Sequence, residues 1–264
     1  MNIMILFYFL AILTAAFIFW KKIKEEHFDD YQLFDHFLLS LLIAWIFARL
    51  GYIALHFDQF TFNVLAWVDV YAKPGFSLFL LSFFWGIFLY KFTKKNTNNS
   101  LAVLDFWATS LSGAAVWIFL GWLLTGTHLG KQTSLPIGIK FSGVFDRYHP
   151  TQAYSAIFYL FVLFYLSKLE YVYRTFSWYK GGKGSAQSGF LLGVFIIASG
   201  FWWAIMSFLK PGEVLLGQTS IDLFLAIATL MAGAILLIAR SGKFLKSATK
   251  SSSYYDKKRE KPLL

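Results

Sequence analysis

The chain has 264 residues, of which 58% are hydrophobic and only 14% are charged. A soluble domain carries roughly 25% charged residues, so this apolar share excludes a soluble globular chain and a disordered one. It has no cysteine, which removes disulfides, thiolate metal sites and a cysteine nucleophile together. Its net charge of +10 has to be read through membrane topology before nucleic acid is considered.

A helix crosses hydrocarbon with about 20 mostly apolar residues. Seven stretches approach this, at roughly 4–20, 36–54, 75–92, 101–124, 153–168, 188–209 and 219–239. The first is followed by Lys21, Lys22 and Lys24 and by no small-residue cleavage site, so it reads as a retained span. The runs are too continuous for the alternation of a membrane β-barrel. The expected fold is an all-α bundle of seven membrane-spanning helices over residues 1–242.

The cations orient it. Of the 24 Lys and Arg residues, eighteen fall after spans one, three, five and seven. Five fall on the other side, and Arg49 lies within span two. This predicts an N-terminus outside and a C-terminus in the cytoplasm. Residues 243–264 hold Lys243, Lys246, Lys250, Lys257, Lys258, Arg259 and Lys261 among serines. They predict a disordered basic tail that touches anionic lipid heads, not a nucleic-acid-binding arm. The run Lys180-Gly181-Gly182-Lys183-Gly184-Ser185 lacks phosphate-loop spacing and a preceding strand, and reads as a cytoplasmic loop.

Within the spans Arg49 is the one deep charge. It either faces a polar cavity or snorkels to the interface. Asp105 and Asp222 stand near span ends and are expected at the interface. The outer segment 55–73 is crowded with aromatics, among them Phe57, Phe60, Phe62, Trp67 and Tyr71. It is either an aromatic belt lying on the bilayer or a lip where lipid enters. The most polar outer segment, 125–152, gathers His128, Lys131, Asp146, Arg147, His149 and Gln152, and is where chemistry is expected. Two histidines without carboxylate spacing do not predict a metal, and no cofactor is expected.

Several segments, in order, resemble motifs of the prolipoprotein diacylglyceryl transferase family. His149-Pro150-Thr151-Gln152-Ala153-Tyr154 resembles its His-Pro-Ser/Thr-Gln-Leu-Tyr-Glu. The run from Thr125 to Gly138 is similar, without a gap, to its Asn-Gly-Glu-Leu-Trp-Gly-Arg-Pro-Thr-Asp-Leu-Pro-Trp-Gly. Ala48-Arg49-Leu50-Gly51-Tyr52 matches its Ala-Arg-Leu-Gly-Tyr, Tyr8 falls near its Trp-Tyr-Gly, and Gly217-Gln218 also fits. The resemblance runs to about residue 242.

The resemblance implies a protein of the bacterial cytoplasmic membrane. It implies transfer of the diacylglyceryl group of phosphatidylglycerol to a lipobox cysteine of a lipoprotein precursor. By position, lipid or substrate contacts fall to Tyr8, Arg49, His128, Lys131, Arg147, Gln152 and Tyr154, with His149 as the candidate base.

The departures are as specific as the matches. The family's histidine falls on Phe79. The arginine and asparagine of its Arg-Ile-Gly-Asn fall on Phe119 and Trp122. The acid of its Asn-Gly-Glu is Thr127, the Arg and Glu of its Arg-Phe-x-x-Glu are Trp202 and Met206, and the glutamate after Tyr154 is Ser155. A phenylalanine cannot shuttle a proton and a tryptophan cannot neutralise a phosphate. One reading is therefore a family-like membrane protein without catalysis, its cleft filled with rings, that binds lipid or a membrane or lipoprotein partner. Another is an active transferase with relocated groups in the outer loop. A third, an unrelated carrier, lacks the paired intramembrane charges and broken spans that carriers show.

Overall fold

A computed structural model describes residues 3–70, 73, 75–97, 99–141, 145–172, 187–211, 215–216 and 219–240. The glycine-rich run 180–185, Gly217-Gln218 and the basic tail lie outside these residues.

The described chain is helical. In order it forms α1 (Ile3–Glu25), α2 (Asp30–Leu55), the short α3 (Phe57–Phe60) and α4 (Val64–Val68), then α5 (Leu78–Asn96), α6 (Ser100–Thr125), α7 (Thr151–Glu170), α8 (Phe190–Leu209) and α9 (Ile221–Arg240). A two-residue antiparallel pair, Leu215–Leu216 with Thr219–Ser220, precedes α9. The long helices overrun the apolar stretches by a few residues, because Lys and Glu propagate a helix well once it is nucleated. Side chains set several starts. Asp29 accepts from the Gln32 N–H ahead of α2, and Ser77 accepts from the Leu80 N–H ahead of α5.

Six helices, α1, α2, α6, α7, α8 and α9, are long and apolar enough to cross a membrane. The stretch 75–92, expected as the third span, is helical but is not among them. Its apolar run from Leu78 stops at Tyr90, before Lys91, Lys94 and Lys95. At 1.5 Å per residue that run rises about 20 Å, short of the ~30 Å of hydrocarbon.

The chain divides into two compact units, with α1 and α6 shared between them. One is Phe19–Trp107. Its centre is aromatic: Phe19 stacks on Phe37 at 4.2 Å and Phe37 meets Trp85 at 4.9 Å, while the exposed Phe47 stacks on Phe84 at 4.5 Å. The Trp85 indole donates to the Phe37 carbonyl at 3.2 Å, which ties α5 to α2. Asp105, expected at an interface, is fully buried. It lies more than a turn inside α6, within a stretch where every residue from 102 to 110 is buried.

The other unit comprises the chain up to Ile18 and from Ala108 onward. There α8 and α9 meet through glycines. A Cβ at Gly200 would stand 2.7 Å from the Leu230 nitrogen, and one at Gly233 would stand 2.7 Å from the Ile197 nitrogen. Small residues let membrane helices approach closely enough for dispersion to hold them without a hydrophobic drive.

Candidate functional site

The described residues of the 125–152 loop, though many are exposed, are tied together by turns and hydrogen bonds. Gly126 and His128 both take positive φ, at 64° and 55°, and turn the chain out of α6. Ile139 and Tyr148 exchange two main-chain hydrogen bonds of 3.0 Å. Thr133 N–H donates to Arg147 at 2.9 Å, and His149 N–H to Lys131 at 3.0 Å. The Gln132 amide donates to Asp146 at 2.9 Å. Gly130 is obligatory here, because a Cβ would sit 2.6 Å from the His149 carbonyl oxygen.

Gln152, in the first turn of α7, fastens that loop. It is fully buried. Its Nε2 donates to the carbonyls of Thr127 at 2.6 Å and His128 at 3.0 Å. Its Oε1, the Thr151 hydroxyl, the His149 Nδ1 and the Tyr154 hydroxyl are buried without a hydrogen-bond partner among the described residues. Four such atoms within six positions are unusual, since buried polar groups are nearly always paired. The His149 and Tyr154 rings lie 6.5 Å apart.

Beside this polar corner runs a continuous chain of rings. His128 lies 4.0 Å from Trp122, which meets Phe119 edge-on at 5.3 Å. Phe119 stacks on Tyr159 at 5.6 Å, Tyr159 meets Phe158 edge-on at 5.3 Å, and Phe158 stacks on Trp202 at 4.3 Å. The two indoles are satisfied inside the unit. Trp122 Nε1 donates to the Tyr8 hydroxyl at 3.4 Å, and Trp202 Nε1 to the Ser155 hydroxyl at 3.1 Å. Lys210 Nζ lies 5.8 Å from the ring centres of both Phe119 and Trp122, within reach of a cation–π attraction. Edge-to-face and offset contacts of this kind add about 0.5–1.5 kcal/mol per pair beyond their buried area.

The structure thus brings Tyr8, Phe119, Trp122, His128 and Trp202 into one connected cluster. Gln152 joins it through the Thr127 and His128 carbonyls. Met206 is buried on α8, one turn from Trp202. Thr127 bonds the Thr125 hydroxyl at 3.1 Å. Lys131 and Arg147 are exposed on the loop. Phe79 belongs to the Phe19–Trp107 unit, where it stacks on Phe83 at 6.0 Å. Among the described residues no group of three or more His, Cys, Asp or Glu could hold a metal.

Arg49 lies 5% exposed and donates to main-chain carbonyls of its own unit. The partners are Trp67 at 3.0 Å, Gly75 at 2.9 Å, and Ala66 and Asp69 at 3.4 Å each. Its guanidinium therefore serves loop geometry. Sequence reading missed Phe158, Tyr159 and Lys210. The signal was present for two of them: Tyr159 follows Gln152 and Ser155 at helical spacing on one face of α7, with Phe158 beside it.

Comparison with known proteins places this arrangement. The sequence model of the family described as prolipoprotein diacylglyceryl transferase matches residues 3–239. A phosphatidylglycerol–prolipoprotein diacylglyceryl transferase of Clostridium tetani is 26% identical over 232 residues, covering 85% of this chain and 87% of its own. The enzyme of that name from Finegoldia magna is 23% identical over 91% of this chain and 92% of its own. One from Chlamydia caviae is 31% identical over 66% and 62%. With the family match running almost from end to end, this helical membrane chain belongs to the prolipoprotein diacylglyceryl transferase family.

Proposed function

We propose that this chain is a lipid- or lipoprotein-binding member of its family that has given up diacylglyceryl transfer. The observation that carries this reading is the chain of rings from His128 to Trp202. It occupies positions where the family resemblance expects an arginine, an asparagine and a second arginine. Transfer to a thiol needs a proton acceptor and stabilisation of the departing glycerophosphate. General acid–base help is worth typically 10²–10⁴-fold, and one lost electrostatic donor costs about 10²–10³-fold. The rings of Phe119, Trp122 and Trp202, which stand at those positions, supply neither function. They do offer an apolar, cation-flanked wall of the kind an acyl chain or a membrane partner packs against.

The same reading has the chain cross the bacterial cytoplasmic membrane seven times, with the N-terminus outside and the tail in the cytoplasm. In it α5 is the extra crossing: its apolar run alone is too short, but all 19 residues rise about 29 Å, and the terminal lysines snorkel to the cytoplasmic interface. The uneven distribution of Lys and Arg supports that orientation.

The test is direct. Purified protein is given phosphatidylglycerol and a lipobox peptide, and the gene is asked to complement a transferase-depleted bacterium. No transfer and no rescue are expected, and robust turnover overturns the reading. A second reading has its own observation: the unpartnered polar atoms of His149, Thr151, Gln152 and Tyr154 at the start of α7. Turnover that vanishes in His149→Ala puts a relocated active site there.

A further inference from the structure

We propose that residues 56–70 form a lip that inserts into the lipid interface at the C-terminal end of α2, held in shape by Arg49 from within the helix. The inference stands apart from whether the family reaction survives.

The segment is two-faced. Phe60 is turned inward, 2% exposed, edge-on to Tyr52 at 6.1 Å and 5.0 Å from the Arg49 guanidinium. On the opposite side Phe62, Leu65 and Val68 are 83%, 82% and 76% exposed, with Val64 at 62%. These side chains are presented by a built scaffold. The Asn63 side chain accepts from the Leu65 and Ala66 N–H groups at 3.1 and 3.4 Å and starts α4. The Trp67 indole donates back to the Thr61 carbonyl at 3.0 Å. Arg49 then takes the C-terminal carbonyls of α4 (Ala66, Trp67 and Asp69) together with that of Gly75, where the chain returns toward α5. Carbonyls at a helix end have no partner in their own helix, and a cation there is favoured by the dipole. One guanidinium, 5.0 Å from the Phe60 ring centre and 5.7 Å from that of Phe76, thereby fixes the C-terminal end of the lip and the return of the chain at Gly75.

The occupant of the outer face follows from position. The lip leaves α2 directly, and α2 carries exposed apolar residues at Leu42, Ile46 and Leu50, with Leu55 exposed at its last turn. The lip's exposed residues stand where a helix long and apolar enough to cross a membrane ends. An apolar face there meets the boundary of head groups and acyl chains. Asp58 and Gln59, exposed on α3, supply the polar side.

The chain has no cysteine of its own, so single cysteines carry nitroxide labels cleanly. The full-length protein is labelled at Leu65→Cys, Gln59→Cys and Leu42→Cys in separate samples. Each is reconstituted into vesicles of phosphatidylglycerol and phosphatidylcholine. Collision with oxygen, which partitions into lipid, is compared with collision with a water-soluble nickel chelate. The label at 65 is expected to show an oxygen-to-nickel ratio several-fold above that at 59 and close to that at 42. A ratio at 65 equal to that at 59 puts the lip in water and overturns the proposal. A label at 65 immobilised and shielded from both reagents means protein covers the face, and overturns it too. In Arg49→Gln the ratio at 65 is expected to fall toward the aqueous value, while that at 42 stays unchanged. Persistence at 65 in both Arg49→Gln and Arg49→Lys refutes the role given to Arg49.

Discussion

The Trp202 indole donates to the Ser155 hydroxyl at 3.1 Å, joining α8 to α7 beneath the stacked Phe158. In the family motifs that these positions resemble, one is an arginine and the other a glutamate; here a neutral hydrogen bond and a ring stack join them. Ser155→Ala leaves the indole N–H without its partner and should destabilise by about 1 kcal/mol. Trp202→Phe keeps a ring against Phe158 but removes the donor. The double variant should therefore be more stable than the sum of the single losses, a coupling that thermal unfolding in detergent can measure.

Gln152 supplies two donors to buried carbonyls at 2.6 and 3.0 Å. Gln152→Leu strands both carbonyls, at about 1–3 kcal/mol. Gln152→Glu also replaces the donating amide with a buried carboxylate facing those oxygens, and should unfold at a lower temperature than the leucine variant. The reverse order would show that something other than these two bonds holds the loop.

Gly130→Ala drives a methyl to 2.6 Å from the His149 carbonyl oxygen and 2.9 Å from both the His149 Cβ and the Thr151 Cγ2. The nearest of these is backbone, so rotamer changes cannot relieve it. Limited proteolysis should cut the 125–152 loop much faster in this variant, and a cleavage rate equal to the parent's would contradict the packing described here.

Topology has its own assay. A cysteine replacing Ser252 should resist a membrane-impermeant thiol reagent in intact cells, and one replacing Lys140 should react. The opposite pattern inverts the orientation drawn from the cations.

How much was legible beforehand differed by level. Among the described residues, the six helices long and apolar enough to cross a membrane announce themselves as apolar runs. The family positions that hold rings here, Phe119, Trp122 and Trp202, stand out in the sequence by themselves. What joins them was less visible. Phe158 and Tyr159 look like two more aromatics in an aromatic helix, and only the facing of α6, α7 and α8 makes them links. Arg49 could face a cavity or snorkel, and sequence offered no means to see that the carbonyls of residues 66, 67, 69 and 75 would surround it. The burial of Asp105 was not visible either, because distance from a helix end says little about packing, and every residue from 102 to 110 is enclosed.

The arrangement around Arg49 also bears on how the chain is made. When α2 leaves the ribosome its arginine has no acceptor, because every carbonyl it will use belongs to residues synthesised later. Until Gly75 has emerged, α2 enters the bilayer with an unsatisfied charge, a burden of up to about 2.5–3.5 kcal/mol at mid-membrane. Chains truncated after Leu55 and released should integrate α2 less completely than chains truncated after Ser77 and released, and Arg49→Leu should abolish the difference. Stability of the second helix is in this sense granted retroactively, by sequence translated after it.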